Sequence, residues 1–291
     1  MLLDVVLGYD CNLACTYCTI GPAMRPREAD VARVAAEIDR AAREGFRDVA
    51  FTGGEPTIYP SLAPLVRRAR RAGFEHAKVA SNGLRYADPR YLDWLVEAGV
   101  DRFHVSVHAF GDAAYDATVR APGAAKLRRA ALAALVARGL DPVCDLILKE
   151  DTYRDVAAWI DALAALGVRR FALWLVSLTD ANAANVEQLP RLDDVAPFVA
   201  RACDEARAKG RDVVSLHVPR CFLPGFEDNV RHPGAEGVRV VTPDDVFDLR
   251  ASRLSGGVKP AACRGCRFDA DCPGLRADYV ARFGDAVRPV S

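Results

Sequence analysis

Cys11-Asn12-Leu13-Ala14-Cys15-Thr16-Tyr17-Cys18 follows directly on an apolar run, Leu2 to Leu7, that predicts a strand. Three cysteines at C-x3-C-x2-C spacing in so tight a loop can present their thiolates to one polynuclear centre. Soft thiolates select iron–sulfur clusters, zinc or copper(I). With only three local ligands, either a fourth arrives from elsewhere or one metal position stays open for a ligand that reacts. A structural zinc knot is the plain alternative, so the rest of the chain has to discriminate.

Nine cysteines, an odd number, point to reduced thiols and metal ligation rather than disulfides. The first strand begins at Leu2, so no signal peptide is expected. No apolar run approaches the roughly 20 residues that cross a bilayer. Lys plus Arg equals Asp plus Glu at 39 each, which gives no electrostatic ground for nucleic acid or membrane partners. The expectation is a cytoplasmic protein.

Short apolar runs alternate with helical patterns along the chain. Val49 to Thr52, His76 to Ala80, Phe103 to His108, Pro142 to Leu148 and Phe171 to Val176 read as strands. Between them, Val34, Ile38 and Ala41, then Leu62, Leu65 and Val66, then Trp159, Ile160 and Leu163 fall at helical spacing. Nearly continuous apolar strands alternating with helices imply a parallel sheet covered by helices. Six such units fit an α/β fold, a partial (β/α)6 TIM-type barrel, in which reactive groups sit at the strands' C-terminal ends. Cys11 to Cys18, Gly53 to Glu55, Ser81, His108, Glu150 and Ser177 all fall at such ends. From Pro219 the composition changes, with Pro224, Gly225, Pro233 and Gly234 close together. The expected division is a barrel over 1–215 and a small domain over 216–291.

The cysteine loop and a second strand-end motif, Gly53-Gly54-Glu55-Pro56, together resemble the radical S-adenosylmethionine (radical SAM) enzymes. That family carries C-x3-C-x-aromatic-C after its first strand, here with Tyr17. The resemblance implies that Cys11, Cys15 and Cys18 hold a 4Fe–4S cluster whose fourth iron is chelated by SAM. It implies reductive homolysis to methionine and a 5′-deoxyadenosyl radical, which is cofactor chemistry. Tyr17 would lean on the adenine, and the turn Gly53, Gly54, Glu55 would bind the SAM amino group. Ser81, Asn82, Ser106 and Arg120 match positions where relatives contact the SAM ribose or carboxylate, Arg120 through a charge-assisted bond. Without the cysteines, each of these reads as an ordinary turn or a solvated arginine. His108 reads as a plain strand-end histidine facing the same cavity.

A second group, Cys263, Cys266 and Cys272, has C-x2-C-x5-C spacing, with Cys221 upstream. Four thiolates would close an all-cysteine site, either zinc or a fully ligated auxiliary 4Fe–4S cluster. The spacing resembles part of the SPASM extension of radical SAM enzymes or its one-cluster relative, Twitch. No cysteine follows Cys272, so one auxiliary cluster is expected. Cys221 is assigned by elimination, because Cys144 lies in a strand and Cys203 on an apolar helix face.

The resemblance implies hydrogen-atom abstraction from a peptide (RiPP-type) or natural-product substrate, with a reducing partner such as flavodoxin or ferredoxin. No peptide-recognition domain is read ahead of the barrel, which keeps a small-molecule (sugar or alcohol) dehydrogenase or epimerase open. A non-catalytic iron–sulfur electron carrier or regulator is the reading from another class. It has no need of the glycine turn, Ser106 or Arg120.

Overall fold

A computed structural model describes residues 1–232, 237–249, 257–285, 287 and 290. Pro233 and Gly234 lie outside the described residues. The first half runs β1 (Leu2–Val6), α1 (Val31–Arg43), β2 (Asp48–Thr52), α2 (Leu62–Ala72), β3 (His76–Ser81), α3 (Pro89–Ala98), β4 (Arg102–Val107), α4 (Asp112–Val119), α5 (Ala124–Ala137) and β5 (Val143–Leu148). There follow α6 (Val156–Ala164), β6 (Arg170–Leu175), α7 (Leu192–Ala208), β7 (Asp212–Leu216), β8 (Val230–Arg231), β9 (Val238–Val241) and β10 (Val246–Asp248). A two-stranded pair, β11 (Gly257–Val258) and β12 (Leu275–Arg276), leads into α8 (Ala277–Phe283).

The large sheet has ten strands in the order β10-β9-β1-β2-β3-β4-β5-β6-β7-β8. Every neighbouring pair is parallel except β10 with β9. The expected partial barrel is present, and its parallel run continues past six strands. Residue 215 falls inside β7, and later residues return to the sheet at both flanks, as β8 on β7 and β9 on β1.

Alternation sorts the strands' side chains. Leu3, Val5, Phe51, Val79, Val105 and Leu146 are buried in the main apolar core. The other face is mixed: Val143, Ala172 and Leu216 form a small apolar cluster, while Thr52 Oγ1 donates to Asp4 at 2.9 Å and Trp174 Nε1 to Asp145 at 3.1 Å. Asp145 also meets the His104 ring at 3.1 Å. The barrel interior is therefore partly polar, whereas its helix-facing side is apolar. Helix ends follow from local chemistry: Asp30 caps α1 by accepting from Arg33 N at 2.6 Å, and Asp88 caps α3 ahead of Pro89. The short α4 was illegible as a pattern, since only Tyr115, Thr118 and Val119 of Asp112–Val119 are buried.

The loops after β1 and β2 interlock. Gly54 N donates to Gly8 O and Glu55 N to Asp10 O, each at 2.9 Å. A Cβ on Gly54 would stand 2.1 Å from Asp10 O and 2.5 Å from Tyr9 O, and Gly53 has φ +135°. Both glycines are thus required by backbone meeting backbone. Gly54→Ala should destabilise the fold by about 1–3 kcal/mol or more, read as a lower urea midpoint with unchanged slope. Among the described residues, no helix is long and apolar enough to cross a membrane.

Candidate active site

At the C-terminal ends of the strands lies a cavity of ≈ 340 Å³. Cys11, Cys15, Cys18 and Tyr17 border it on one side, and Gly53, Gly54, Ser81, Asn82 and Ser106 border it along the ends of β2, β3 and β4. Arg120 and Glu55 do not. Arg120 ends α4 in the left-handed conformation, φ 54°, and is exposed. Glu150 also stays outside, its carboxylate paired with Arg154 at 2.8 Å.

The cysteine loop is held by its own neighbours. Arg25, which the sequence reading passed over, donates from Nη1 to Cys11 O at 2.9 Å and from Nη2 to Leu13 O at 2.8 Å. Ala14 N and Thr16 N donate to Val119 O and Thr118 O at the end of α4. Burial pushes the Cys11 thiol up to about 11. Burial, then the charges of Cys18 and Cys11, pushes Cys15 up to about 12. Burial holds these two thiols protonated unless a cation shares their sulfurs, which is the donor chemistry of a metal centre. Among the described residues, no three His, Cys, Asp or Glu converge closely enough to hold a single metal ion. Zinc–sulfur bonds of about 2.3 Å would draw tetrahedral thiolates to about 3.8 Å of one another. A cuboidal cluster, ligated at separate corners, accepts wider spacing. Three thiols bordering one cavity fit separate corners of such a cluster.

Glu55 is fully buried and fixes the turns around it. Its Oε1 accepts from Thr57 N at 3.0 Å, Thr57 Oγ1 at 2.5 Å and Ser81 Oγ at 2.7 Å; Oε2 accepts from Asn82 N at 2.8 Å. Burial raises its pKa, and these donors oppose the rise. Asn82 Nδ2 reaches back to Asn12 Oδ1 at 2.7 Å, tying the β3 turn to the cysteine loop.

Tyr17 hydroxyl and His108 Nδ1 are hydrogen-bonded, and His108 Nε2 is buried without a partner among the described residues. Behind His108, Tyr115 carries the guanidinium of Arg128 over its ring at 4.3 Å. Arg128 is buried, 5% exposed, yet its Nε and Nη1 have no partner among the described residues. It stands in helical register with the buried Ala124, Ala125, Ala131, Leu132 and Leu135 of α5, so an arginine on an apolar stripe was the signal that could have found it. Lys149 is also buried, paired with Asp151 at 2.7 Å and facing the Tyr17 ring. The opposite wall holds Trp174 and His217, edge to face with ring centres 5.3 Å apart. His217 has φ 77°, a strained conformation for this residue. It directly follows β7, so the strand-end rule could have found it.

Burial, then Arg128 and Lys149, lowers the His108 pKa to about 3. The folded protein therefore refuses a proton that the unfolded chain accepts near 6.5, and stability falls as pH drops from about 6.5 toward 3. His108→Gln should remove about 1.5–2 kcal/mol of the loss between pH 6.5 and 5, measured by urea unfolding at each pH.

The second cysteine group also closes on one space. Cys221, Cys263, Cys266 and Cys272 line a common cavity. Burial, then the charges of Cys272, Cys263 and Cys266, pushes the Cys221 thiol up to about 11. Cys144 and Cys203 are buried elsewhere. From this segment Arg276 donates to Leu175 O and Val176 O, each at 2.9 Å, and Asp278 accepts from Leu178 N at 2.8 Å. Leu175 and Val176 border the first cavity, and Leu275, the neighbour of Arg276 in the chain, borders the second.

The family described as Radical SAM superfamily matches residues 5–149. A probable GTP 3′,8-cyclase of Methanopyrus kandleri is 32% identical over 283 residues, covering 96% of this chain and 83% of that protein. A PqqA peptide cyclase of Ruegeria pomeroyi is 28% identical over 321 residues, covering 98% and 85%. Among solved structures, Streptococcus suis SuiB bound to S-adenosylmethionine superposes with a TM-score of 0.72 at 11% identity, over 99% of this chain and 76% of that one. At that identity the likeness is one of fold.

Proposed function

Since the chain belongs to the radical SAM superfamily of enzymes, we propose that its cavity binds a 4Fe–4S cluster on Cys11, Cys15 and Cys18 with SAM beside it, and that the enzyme abstracts a hydrogen atom from a peptide. The observation that carries this reading is the convergence of three thiols, the Gly53-Gly54 turn and Ser106 on one cavity. Cluster and SAM together supply reductive cleavage to a 5′-deoxyadenosyl radical. The residues position and shield. Arg25 holds the cysteine loop by its carbonyls, Glu55 sets the two turns, and Tyr17 is held in orientation by His108. Gly53, Gly54, Ser81, Asn82 and Ser106 offer backbone and small polar groups to the bound molecule. Arg120 is the cation the resemblance offers for the SAM carboxylate; it is exposed and outside the cavity's lining, and Arg128, buried beside Tyr115 and His108, does not border the cavity either.

Cys221, Cys263, Cys266 and Cys272 would hold an auxiliary 4Fe–4S cluster, supported by their shared cavity and mutual charge coupling. A flavodoxin or ferredoxin would supply electrons. The peptide reading is favoured by the PqqA peptide cyclase relative, which matches almost end to end. The probable GTP 3′,8-cyclase, at the higher identity, supports a small-molecule reading beside it.

Reconstituted, dithionite-reduced protein should hold about eight irons, two clusters of four, and convert SAM to 5′-deoxyadenosine. The Cys11→Ala, Cys15→Ala, Cys18→Ala protein should hold half the iron and form none. Equal turnover by both would refute the assignment. Product formation from GTP by mass spectrometry would decide for the small-molecule reading.

A separate measurement addresses the carboxylate. By isothermal titration, a loss of about 1.5–3 kcal/mol in SAM binding for Arg120→Ala, the worth of a hydrogen bond to a charged group, would keep Arg120 as the carboxylate's partner, and unchanged affinity would remove it.

A further inference from the structure

Arg220, next to Cys221, is a charge the fold leaves unanswered. It lines the cavity shared by Cys221, Cys263, Cys266 and Cys272. Its guanidinium lies over the Phe268 ring at 4.8 Å, which sets its plane. Its Nη1 is buried with no hydrogen-bond partner among the described residues. Lys259, the other cation bordering this cavity, is already taken: its Nζ meets Asp269 Oδ1 at 3.0 Å and also the Asp269 carbonyl. A buried, unpaired guanidinium donor costs about 1–3 kcal/mol or more, and arginine cannot escape by losing its proton. Its fitting partner is an anion that arrives with whatever fills the cavity.

We propose that Arg220 is the electrostatic partner of the cluster on these four thiolates and raises its reduction potential. This rests on the reading that the second cysteine group binds a 4Fe–4S cluster. A cube held by four thiolates is anionic, and one-electron reduction adds one further negative charge with no bond made or broken. A fixed cation at hydrogen-bonding range favours the reduced form, because cluster potentials respond to local charge and to hydrogen bonds on sulfur. The electron comes from the proposed reducing partner, or from dithionite in vitro.

The test uses the full chain in the Cys11→Ala, Cys15→Ala, Cys18→Ala background, where only the second site's paramagnetic signal remains. Arg220→Gln removes the charge and Arg220→Lys keeps it. In an EPR-monitored redox titration with dithionite, Arg220→Gln should lower the reduced-to-oxidised ratio at a fixed potential about tenfold, equivalent to about 59 mV for one electron. Arg220→Lys should titrate close to the parent. Loss of iron from the Gln variant alone, with Lys at the parent potential, also supports charge pairing. A Gln variant that titrates like its parent, or Lys and Gln variants displaced alike, would overturn the proposal. Iron lost from both variants would make Arg220 a packing residue and overturn it too. No iron in the parent background would overturn the cluster reading itself, and the tuning role with it.

Discussion

The carboxylate of Glu55 is the interaction on which the cavity's shape depends. It is fully buried and takes all its hydrogen bonds from two turns, the one it opens after β2 and the one after β3. A charge in that position tolerates few alternatives, because each orphaned donor would cost about 1–3 kcal/mol. The turns are thereby fixed relative to one another. Asn82 passes that order to the cysteine loop through Asn12, and Gly54 passes it through direct backbone contact. Loops that hang from three different strands thus become one rigid rim.

Much of this rim was legible in the sequence, though not always for the reason it exists. Cys11, Cys15, Cys18, Gly53, Gly54 and Ser81 lie where strand-end reasoning places reactive groups, and Asn82 and Ser106, offered by the family resemblance, border the same cavity. The glycine pair suggests room for a ligand, yet the nearest demand on it is the backbone of Gly8 to Asp10. Glu55 looks like a contact and proves to be a bracket. Motif spacing specifies which residues are near a ligand; it does not say which of them face it and which hold the others.

What stayed illegible depended on pairing between distant segments. Val238–Val241 is too short to declare itself a strand, and its place beside β1 is set by register, Leu2 with Val238 through Val5 with Val241. Arg276 likewise gains its meaning from Leu175 and Val176, residues about a hundred positions earlier.

The place of β1 bears on how the protein comes into being. It precedes the other strands of this sheet along the chain, but it lies between β2 and β9 and not at an edge. Its second neighbour leaves the ribosome only after the whole α/β run has emerged. Such long-range closure is entropically slow. Until β9 arrives, one side of β1 is an open template for other chains. The cysteine loop follows β1 directly, so its thiols are carried at the end of the strand whose pairing is completed among the last.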